Sequence, residues 1–277
     1  MSQSNRSLSR FWSDYGTEDF ARLDLARAIA VLPLGATEQH GPHLPLSVDV
    51  DLVDGVIQAA VSQLPQDLPV LILPTQQVGF SPEHQAFAGT LSLSAETVMR
   101  IWTELGESVA SSGIRKLVLF NAHGGHTGLM EAVGRDLRAR LGMLVYSASW
   151  FNLPLEEAGQ TISADEERFG VHAGQMETAM MLALKPGRVL MEKALNFSSS
   201  TQQRARDFPI LGNGKSAKLA WQMQDYNPAG AAGNAAAATK EQGQVLLAAA
   251  ASGLGKLLIE IDRLPADVLR QPPKPKM

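Results

Sequence analysis

The chain has 277 residues and a mass of 29.7 kDa, which is enough for one large α/β domain with a sizeable core. Apolar residues make up 45% of the sequence and charged residues 19%, and this globular composition excludes a disordered or fibrous chain. The net charge of −4 argues against a nucleic-acid partner, and the absence of cysteine excludes disulfides, thiolate metal sites and cysteine nucleophiles.

Short apolar runs alternate with longer helical patterns along the chain. Four runs rich in Val, Ile and Leu predict buried parallel strands at residues 28–34, 70–73, 117–120 and 144–147. Helical spacing predicts helices at 52–64, from the N-cap Ser94 onward, and at 128–141, 174–184 and 239–264. This alternation predicts a doubly wound α/β layer fold.

Signs of a domain boundary are weak along the chain, which favours a single domain over residues 1–277. Residues 196–238 lose the periodicity and become rich in small and polar residues, which indicates a long excursion or an oligomer contact. We expect an ordered core at about residues 10–265 and a disordered tail, QPPKPKM. No run reaches the ~18 apolar residues of a membrane helix, and the N-terminal segment lacks the apolar part of a secretory signal. These features predict a soluble cytoplasmic protein.

All six histidines lie in four short polar segments. The first segment, LPLGATEQHGPHLPLSVDVD, follows the first predicted strand and contains His40 and His43. GFSPEHQAFAGT follows the second strand, NAHGGH ends the third, and FGVHAGQMET leads into a helix. Because ligands bind outside the carboxyl ends of parallel strands, we expect the first three segments to meet at one rim of the sheet.

The first segment has the chemistry of a metal site. Glu38 and His40 are two residues apart, so an extended chain points both side chains the same way. A carboxylate with an imidazole suits Zn²⁺, Mn²⁺ or Fe²⁺. The alternative is that the two side chains cap the following turn and bond each other, since E-x-H alone is a weak signal. Further candidate ligands are Asp49, Asp51, His123 and Glu177.

Glycine and tryptophan residues near these segments also have two interpretations. Gly124 and Gly125 permit positive φ or the close approach of a ligand, but an ordinary strand-to-helix turn explains them equally well. Trp150 follows the fourth predicted strand and either lines a pocket or belongs to the core. Trp102 lies near the apolar stripe of its helix, which predicts a core position.

Four stretches of the sequence resemble the signature segments of the creatininase family. They are GATEQHGPHLPLSVD, SPEHQAFAGT, NAHGGH and HAGQMETAMMLALKP. The later PAGAAGNAAAATKEQGQVLL is similar to that family's Gly-rich stretch and final helix, so the resemblance covers roughly residues 10 to 260. It implies a three-layer α/β sandwich with a mostly parallel central sheet and helices on both faces. It further implies a cytoplasmic, metal-dependent amidohydrolase that forms homo-oligomers, often hexamers.

The resemblance also implies a two-metal centre with Zn, Mn or Fe. Glu38 and His123 match ligands of one metal, His40 matches a ligand of the other, and Asp49 matches the carboxylate that bridges both. Glu177 is the candidate for the last carboxylate ligand, and His172 matches the residue proposed as proton shuttle.

The sequence departs from true creatininases at several positions. They have an acidic ligand two residues after the His of the third motif, where this chain has Gly125, and a Trp where it has Arg168 and Phe169. Both departures argue against creatinine as the substrate. His126 also replaces the residue common in the wider family, and it either contacts substrate or holds the loop.

The resemblance and metal chemistry together predict a hydrolase of a non-peptide C–N bond in a cyclic or linear small-molecule amide. Two metal ions would activate a water molecule, and His172 would pass a proton to the departing nitrogen. Arg168 either binds a carboxylate or phosphate of the substrate or is a solvated surface charge. The alternatives are a peptidase that trims a peptide-derived cofactor precursor and a non-catalytic metal-binding scaffold.

Overall fold

A four-stranded parallel sheet forms the centre of the computed structural model, which describes residues 9–265 and 268–270. The strands lie in the order β2-β1-β3-β4, and all four predicted strands are confirmed within two residues at either end. They are β1 (Ile29–Leu34), β2 (Val70–Ile72), β3 (Lys116–Asn121) and β4 (Leu144–Ser149). The predicted burial is wrong for β4, in which Tyr146 and Ser147 are exposed, because this strand lies at the edge of the sheet. The ladder between β1 and β3 runs from Ile29 opposite Lys116 to Leu34 opposite Asn121. The carboxyl ends of the two central strands therefore lie side by side.

Helices follow the strands in the predicted alternation. They are α1 (Val48–Val61), α2 (Ala95–Ser111), α3 (Thr127–Leu141), α4 (Glu156–Gly159), α5 (Ala164–Phe169), α6 (Gln175–Leu184), α7 (Ser200–Asp207), α8 (Met223–Tyr226) and α9 (Lys240–Arg263). Helix α1 begins at Val48 rather than at the predicted residue 52. The apolar stripe did not reveal this first turn, because the turn contains the acids Asp49 and Asp51. Negatively charged side chains are favourable at a helix N-terminus.

Helices cover both faces of the sheet, which confirms the three-layer sandwich. Successive residues of β1 point to opposite faces, so Val31 joins one core cluster and Leu32 the other. The first cluster contains buried residues of α1, α6 and α9, and the second contains those of α2 and α3. Trp102, 1% exposed, is buried in the second cluster, as predicted.

Helix α9 is the longest helix of the described chain. Its N-cap Thr239 accepts a hydrogen bond from the Gln242 backbone N–H, and the Gln242 side chain accepts one from the Thr239 N–H, which is a capping box. By length and composition it is the one described helix that meets the requirements of a membrane span. Its residues Leu246, Leu254 and Leu258 are buried in the first core cluster.

The segment 196–238, predicted to be an excursion, is folded into short elements. Strand β5 (Asn196–Phe197) pairs antiparallel with β6 (Gly233–Asn234) and closes the excursion at its base. Helices α7 and α8 lie between them and bury only Met223. The tail QPPKPKM, for which disorder is predicted, lies outside the described residues.

Candidate metal centre

The histidine-bearing segments come together at the carboxyl end of the sheet. Glu38 and His40 lie in the loop after β1, and His123 lies directly beyond β3. Asp49 reaches the same place from the first turn of α1. All four side chains are buried, so the parallel register of β1 and β3 brings the predicted ligands into one cluster.

Imidazole nitrogens and carboxylate oxygens face each other in this cluster. The Oε1 atom of Glu38 lies 3.1 Å from Nδ1 of His123 and 3.2 Å from Nε2 of His84. Nε2 of His40 lies 3.5 Å from Oδ1 of Asp49, and Nδ1 of His123 lies 3.6 Å from Oδ2 of Asp49. Nitrogen and oxygen atoms from three segments of the chain therefore converge on the same small region.

Several of these buried atoms have no hydrogen-bond partner within the described part of the chain. They are both carboxylate oxygens of Glu38, Nε2 of His40 and Oδ2 of Asp49. A buried charged oxygen without a partner costs much free energy. Carboxylate oxygen and imidazole nitrogen are ligands that Zn²⁺, Mn²⁺ and Fe²⁺ accept. The residues present therefore fit a divalent metal ion.

The hydrogen bond of His40 decides between the two interpretations of Glu38 and His40. The Nδ1 atom of His40 lies 3.0 Å from the backbone oxygen of Glu38, to which it donates. The carboxylate of Glu38 is left out of this bond. A histidine that donates one N–H to a backbone oxygen presents its other nitrogen as a ligand, so Nε2 of His40 is available to a metal.

Three sets of residues each bring their ligand atoms within 4.8 Å of one another. The sets are Glu38, His40 and Asp49; Glu38, His84 and His172; and His40, His172 and Glu177.

Glu177 lies in the first turn of α6, where its Oε2 accepts the N–H of Ala173 at 2.5 Å. Ala173 has a φ of 53°, an unfavourable conformation for a residue with a side chain. Strain in the backbone is therefore located in the turn that places Glu177.

His172 is held by the backbone on the far side of its ring. Its Nε2–H donates to the backbone oxygen of Gln39 at 2.7 Å, and its Nδ1 lies 4.0 Å from Oε1 of Glu38. Burial, together with the nearby His40 and His84, holds the pKa of His172 well below its usual range. The ring is therefore neutral at pH 7, with the lone pair of Nδ1 facing the cluster.

Burial and charge shift the other titratable groups of the cluster in different directions. Burial lowers the pKa of His40, but the Asp49 carboxylate outweighs it and the pKa is raised to about 9. Burial raises the pKa of Glu177 to about 7, although His40 opposes the shift. Because metal ligands must lose their protons, protons compete with a metal ion for His40 and Glu177.

Two residues of the second histidine segment belong to the cluster, although neither was predicted as a site residue. His84 ends a turn of 3₁₀ helix, Pro82–His84, and its Nδ1 lies 2.8 Å from the side-chain nitrogen of Gln39. Oε1 of Glu83 lies 3.3 Å from Nε2 of His123. The motif SPEHQAFAGT was the available signal, but the contacts of its members with other segments are not visible in the sequence.

Glu83 occupies the space beside Gly125, the position at which the resemblance implies an acidic ligand. A Cβ atom on Gly125 would lie 2.4 Å from Oε1 of Glu83 and 2.4 Å from Nε2 of His123. Contacts this short do not occur between real atoms, so a side chain at this position would displace one of these two groups. The space beside His123 is filled by a carboxylate from another segment.

Two further candidates have structural partners outside the cluster. Nδ1 of His126 donates to Oδ1 of Asn121 at 3.0 Å, and its Nε2 accepts the N–H of Phe80 at 3.1 Å. Both nitrogens are used in holding loops together, which favours the loop-holding alternative. Asp51 pairs with Lys185 and accepts a hydrogen bond from Ser47, so it is bound away from the candidate ligands.

A cavity of about 780 Å³ opens onto the cluster, with Asp49, His123, His172 and Glu177 in its wall. Its apolar wall contains Trp150, Phe151, Leu153, Leu155, Ile162 and Met176, and its acidic wall contains Glu156, Glu166 and Glu167. Trp150 is 2% exposed, and its Nε1–H has no partner in the described residues. Both predictions for Trp150 therefore hold, since it is buried and lines a pocket.

Arg168 lies away from this cavity. It lines a smaller pocket of about 290 Å³, and its Nη2 donates to the backbone oxygen of Gly212 at 3.3 Å. Its side chain is exposed.

The chain is similar to known proteins over most of its length. The family model "Creatininase: Creatinine amidohydrolase" matches residues 13–258. A mycofactocin precursor peptide peptidase from Mycobacterium tuberculosis is 34% identical over 193 residues, which cover 65% of this chain and 68% of the relative. A creatinine amidohydrolase from Pseudomonas putida is 26% identical over 265 residues, covering 90% and 94%.

A solved structure of a manganese form of creatininase has the same fold. Its TM-score is 0.73 at 23% identity, over 93% of this chain and 100% of that chain.

Proposed function

The chain belongs to the creatininase family of metal-dependent hydrolases, and from this premise we propose that its buried cluster cleaves the C–N bond of an amide with a metal-activated water. The unpartnered buried oxygens of Glu38 and Asp49, beside the free Nε2 of His40, are the observation that carries the proposal. These atoms suit a metal ion, and the cavity of about 780 Å³ beside them favours a hydrolytic site over the scaffold alternative, which has no need of space for a substrate.

The proposed ligands are divided between two ions. Glu38 and His123 would hold one ion, His40 and Glu177 the other, and Asp49 would bridge them. A bound divalent ion, whether Zn²⁺, Mn²⁺ or Fe²⁺, would lower the pKa of a water molecule and polarise the amide carbonyl. Glu83 would orient His123 from behind, because a carboxylate that accepts the second N–H of a ligand histidine fixes its ring.

His172 is the proposed proton carrier. Its Nε2–H is committed to the backbone oxygen of Gln39, so the proton is accepted and released at Nδ1, which faces the cluster. The lowered pKa keeps Nδ1 unprotonated at neutral pH, so its lone pair is free on the side of the cluster. From Nδ1 the proton passes to the departing nitrogen of the substrate.

The substrate is proposed to be an amide within a peptide. The cavity of about 780 Å³ lies in the size range that encloses drug-sized molecules, and a peptide peptidase is among the relatives above 30% identity. The indole of Trp150 lines this cavity and offers an apolar face to such a ligand. A non-peptide cyclic or linear amide is the second candidate, favoured by the similarity to a creatinine amidohydrolase along most of both chains.

Elemental analysis and a substrate panel test this function. Protein purified without chelator is compared with Glu38→Gln, and with Glu104→Gln as a control on the exposed face of α2. We expect about two divalent ions per chain, fewer in Glu38→Gln, and hydrolysis of short peptides in preference to small cyclic amides. A chain that stays metal-free after incubation with Zn²⁺, Mn²⁺ and Fe²⁺ would exclude the proposal.

We also propose that the protein is cytoplasmic and that it forms a homo-oligomer, which in this family is often a hexamer. Light scattering at micromolar concentration tests the second, since a monomer would exclude it.

A further inference from the structure

A smaller pocket adjoins the large cavity across the segment from α5 to His172. Its volume is about 290 Å³, and it lies between α5, α7 and the residues 211–226. Val171 lines both spaces, whereas Glu166 and Glu167 face the large cavity and Arg168 and Phe169 face the small one. The short segment from α5 to His172 therefore has a different cavity on each side.

The two cavities have opposite charge. Arg168, Arg204 and Lys218 line the small pocket, and no Asp or Glu is among its lining residues in the described chain. None of the three cations forms an ion pair with a carboxylate of a described residue. The large cavity has acids in its wall and neither Lys nor Arg among its described lining residues. Three cations around one concave space attract an anion.

The hydrogen bonds of these cations leave most of their donors free. Nη2 of Arg168 donates to the backbone oxygen of Gly212, and Nη2 of Arg204 donates weakly to Oγ of Ser200 at 3.4 Å. Arg204 is half-buried and Lys218 is exposed. A guanidinium has five N–H donors in a planar fork that matches carboxylate and phosphate, so an anion finds unused donors here.

Aromatic rings form the remaining wall. Trp221 and Tyr226 are stacked with ring centroids 4.7 Å apart and an angle of 28° between their planes. The guanidinium of Arg168 lies 4.8 Å from the ring centroid of Phe169, and that of Arg204 lies 5.7 Å from that of Tyr226. Flat apolar faces next to cations suit a ligand that carries a ring beside its negative group.

We propose that this pocket is a binding site for an organic anion in which a planar ring adjoins a carboxylate or a phosphate. The site is distinct from the metal cluster, although the Trp221 ring lies 6.1 Å from the His84 ring, centroid to centroid. The pocket is formed by its own charged groups and rings, so its binding of an anion does not depend on the proposed hydrolysis. Among its described lining residues the large cavity has no Lys or Arg to pair with such an anion.

Isothermal titration calorimetry of the metal-loaded protein at low ionic strength tests the site. The probes are phenylacetate, phenyl phosphate and, as a cation of similar shape, phenethylamine. The variants are Arg204→Gln and Lys218→Gln, and the control is Arg206→Gln, which removes an exposed cation from the same helix α7 without touching the pocket. We expect the anion Kd to rise about three-fold or more in each pocket variant and to stay unchanged in the control. The better of the two anions identifies the negative group.

Binding of an anion to the metal cluster is the competing outcome. It would leave the Kd unchanged in Lys218→Gln and abolish binding in Glu38→Gln, and this pattern would overturn the proposal. Absence of heat with both anions, or equal affinity for phenethylamine, would overturn it as well. Because Lys218 is exposed and its ammonium has no hydrogen bond to a described residue, Lys218→Gln remains informative even if Arg204→Gln fails to fold.

Discussion

His123 uses both of its ring nitrogens at the cluster. Nδ1 faces Glu38 and Asp49, while Nε2 lies 3.0 Å from the backbone oxygen of Phe80 and 3.3 Å from Oε1 of Glu83. A ligand histidine whose second nitrogen is held in this way loses affinity for metal when the holding group is changed. The contribution of Glu83 can therefore be measured without altering any ligand.

The first prediction is that Glu83→Gln weakens metal binding by about ten-fold or more. The amide keeps one oxygen near His123 but lacks the negative charge that makes the ring a better ligand. Competition with a chromophoric chelator measures the affinity, and Glu131→Gln, an exposed change on α3, is the control. Equal affinity in Glu83→Gln and in the unaltered chain would contradict the role of Glu83.

His43 provides a second prediction, on pH. Its Nε2 lies 2.9 Å from Oγ1 of Thr178 and its ring stacks on Phe197. Burial, with a smaller contribution from His40, lowers the pKa of His43 to about 4, whereas the unfolded chain has a value of about 6.5. Between these two values the unfolded state binds more protons, so the free energy of unfolding decreases as pH falls from about 6.5 to about 4.

In chelator-treated protein, thermal melts at several pH values between about 7 and about 4.5 measure this loss. We expect the melting temperature of the unaltered chain to fall more steeply with decreasing pH than that of His43→Gln, which has no imidazole at this position to protonate. Other buried histidines maintain part of the slope in the variant. Identical slopes would show that His43 does not contribute.

At the scale of whole elements, the contact of α9 with α6 depends on one glycine. A Cβ atom on Gly243 would lie 1.8 Å from the backbone oxygen of Ala179. The approach is between two backbones, so no side-chain rotation relieves it. On the same helix, a Cβ on Gly255 would have Leu64 at 3.7 Å as its nearest neighbour, an ordinary contact.

These two positions predict opposite results for the same substitution. Gly243→Ala should lower the free energy of unfolding by about 3 kcal/mol, because α9 must move away from α6. Gly255→Ala should raise it by up to about 1 kcal/mol, because alanine is the better helix former. Urea unfolding of both variants measures the difference, and equal effects would contradict the close approach at Gly243.

Glu166 joins three elements around the turn of His172. Its Oε1 accepts the N–H of Gln175 at 2.6 Å and its Oε2 accepts the N–H of Asn234 at 2.7 Å. The carboxylate therefore ties α5 to the start of α6 and to β6. His172 itself exchanges backbone hydrogen bonds with Ala232 in the same region.

Glu166→Gln is predicted to cost about 1–3 kcal/mol of stability, because the new amide N–H faces a backbone N–H and leaves a buried donor unsatisfied. Glu167→Gln changes the neighbouring exposed carboxylate and should leave stability within about 0.5 kcal/mol. Denaturant titration compares the two. A Glu166→Gln protein as stable as Glu167→Gln would show that the two hydrogen bonds are dispensable.

The sequence predicted elements well where a local pattern decides them. Ser94 caps α2 by accepting the N–H of Thr97, and the buried strands follow runs of β-branched and aliphatic residues. The excursion between Phe197 and Gly233 was not predicted in detail, because its helices and strands have two to eight residues, too few for a periodic signal. His84 and Glu83 were missed for another reason, since their partners come from segments distant in the chain.

At the scale of the whole molecule, the cluster should couple metal binding to stability. Glu38 and Asp49 have buried oxygens without partners, and a metal ion that binds the folded state alone stabilises it by mass action, by about 2.7 kcal/mol at a hundred times its Kd. We predict that chelator lowers the melting temperature and that added Zn²⁺ or Mn²⁺ restores it. Glu38→Gln should lose most of this response, and an equal response in the variant would place the metal elsewhere.

The order of the candidate ligands along the chain also has a consequence for the timing of metal binding during synthesis. The candidate ligands extend from Glu38 to Glu177, and α6, which carries Glu177, is packed beneath α9, which begins at Lys240. A ribosome adds about 5–20 residues per second, so on the order of ten seconds separates the emergence of the first ligand from that of the last. A nascent chain therefore lacks part of the candidate ligand set until Glu177 has emerged, and lacks the helix that covers α6 until α9 has emerged. We expect metal binding at the complete cluster to follow these events.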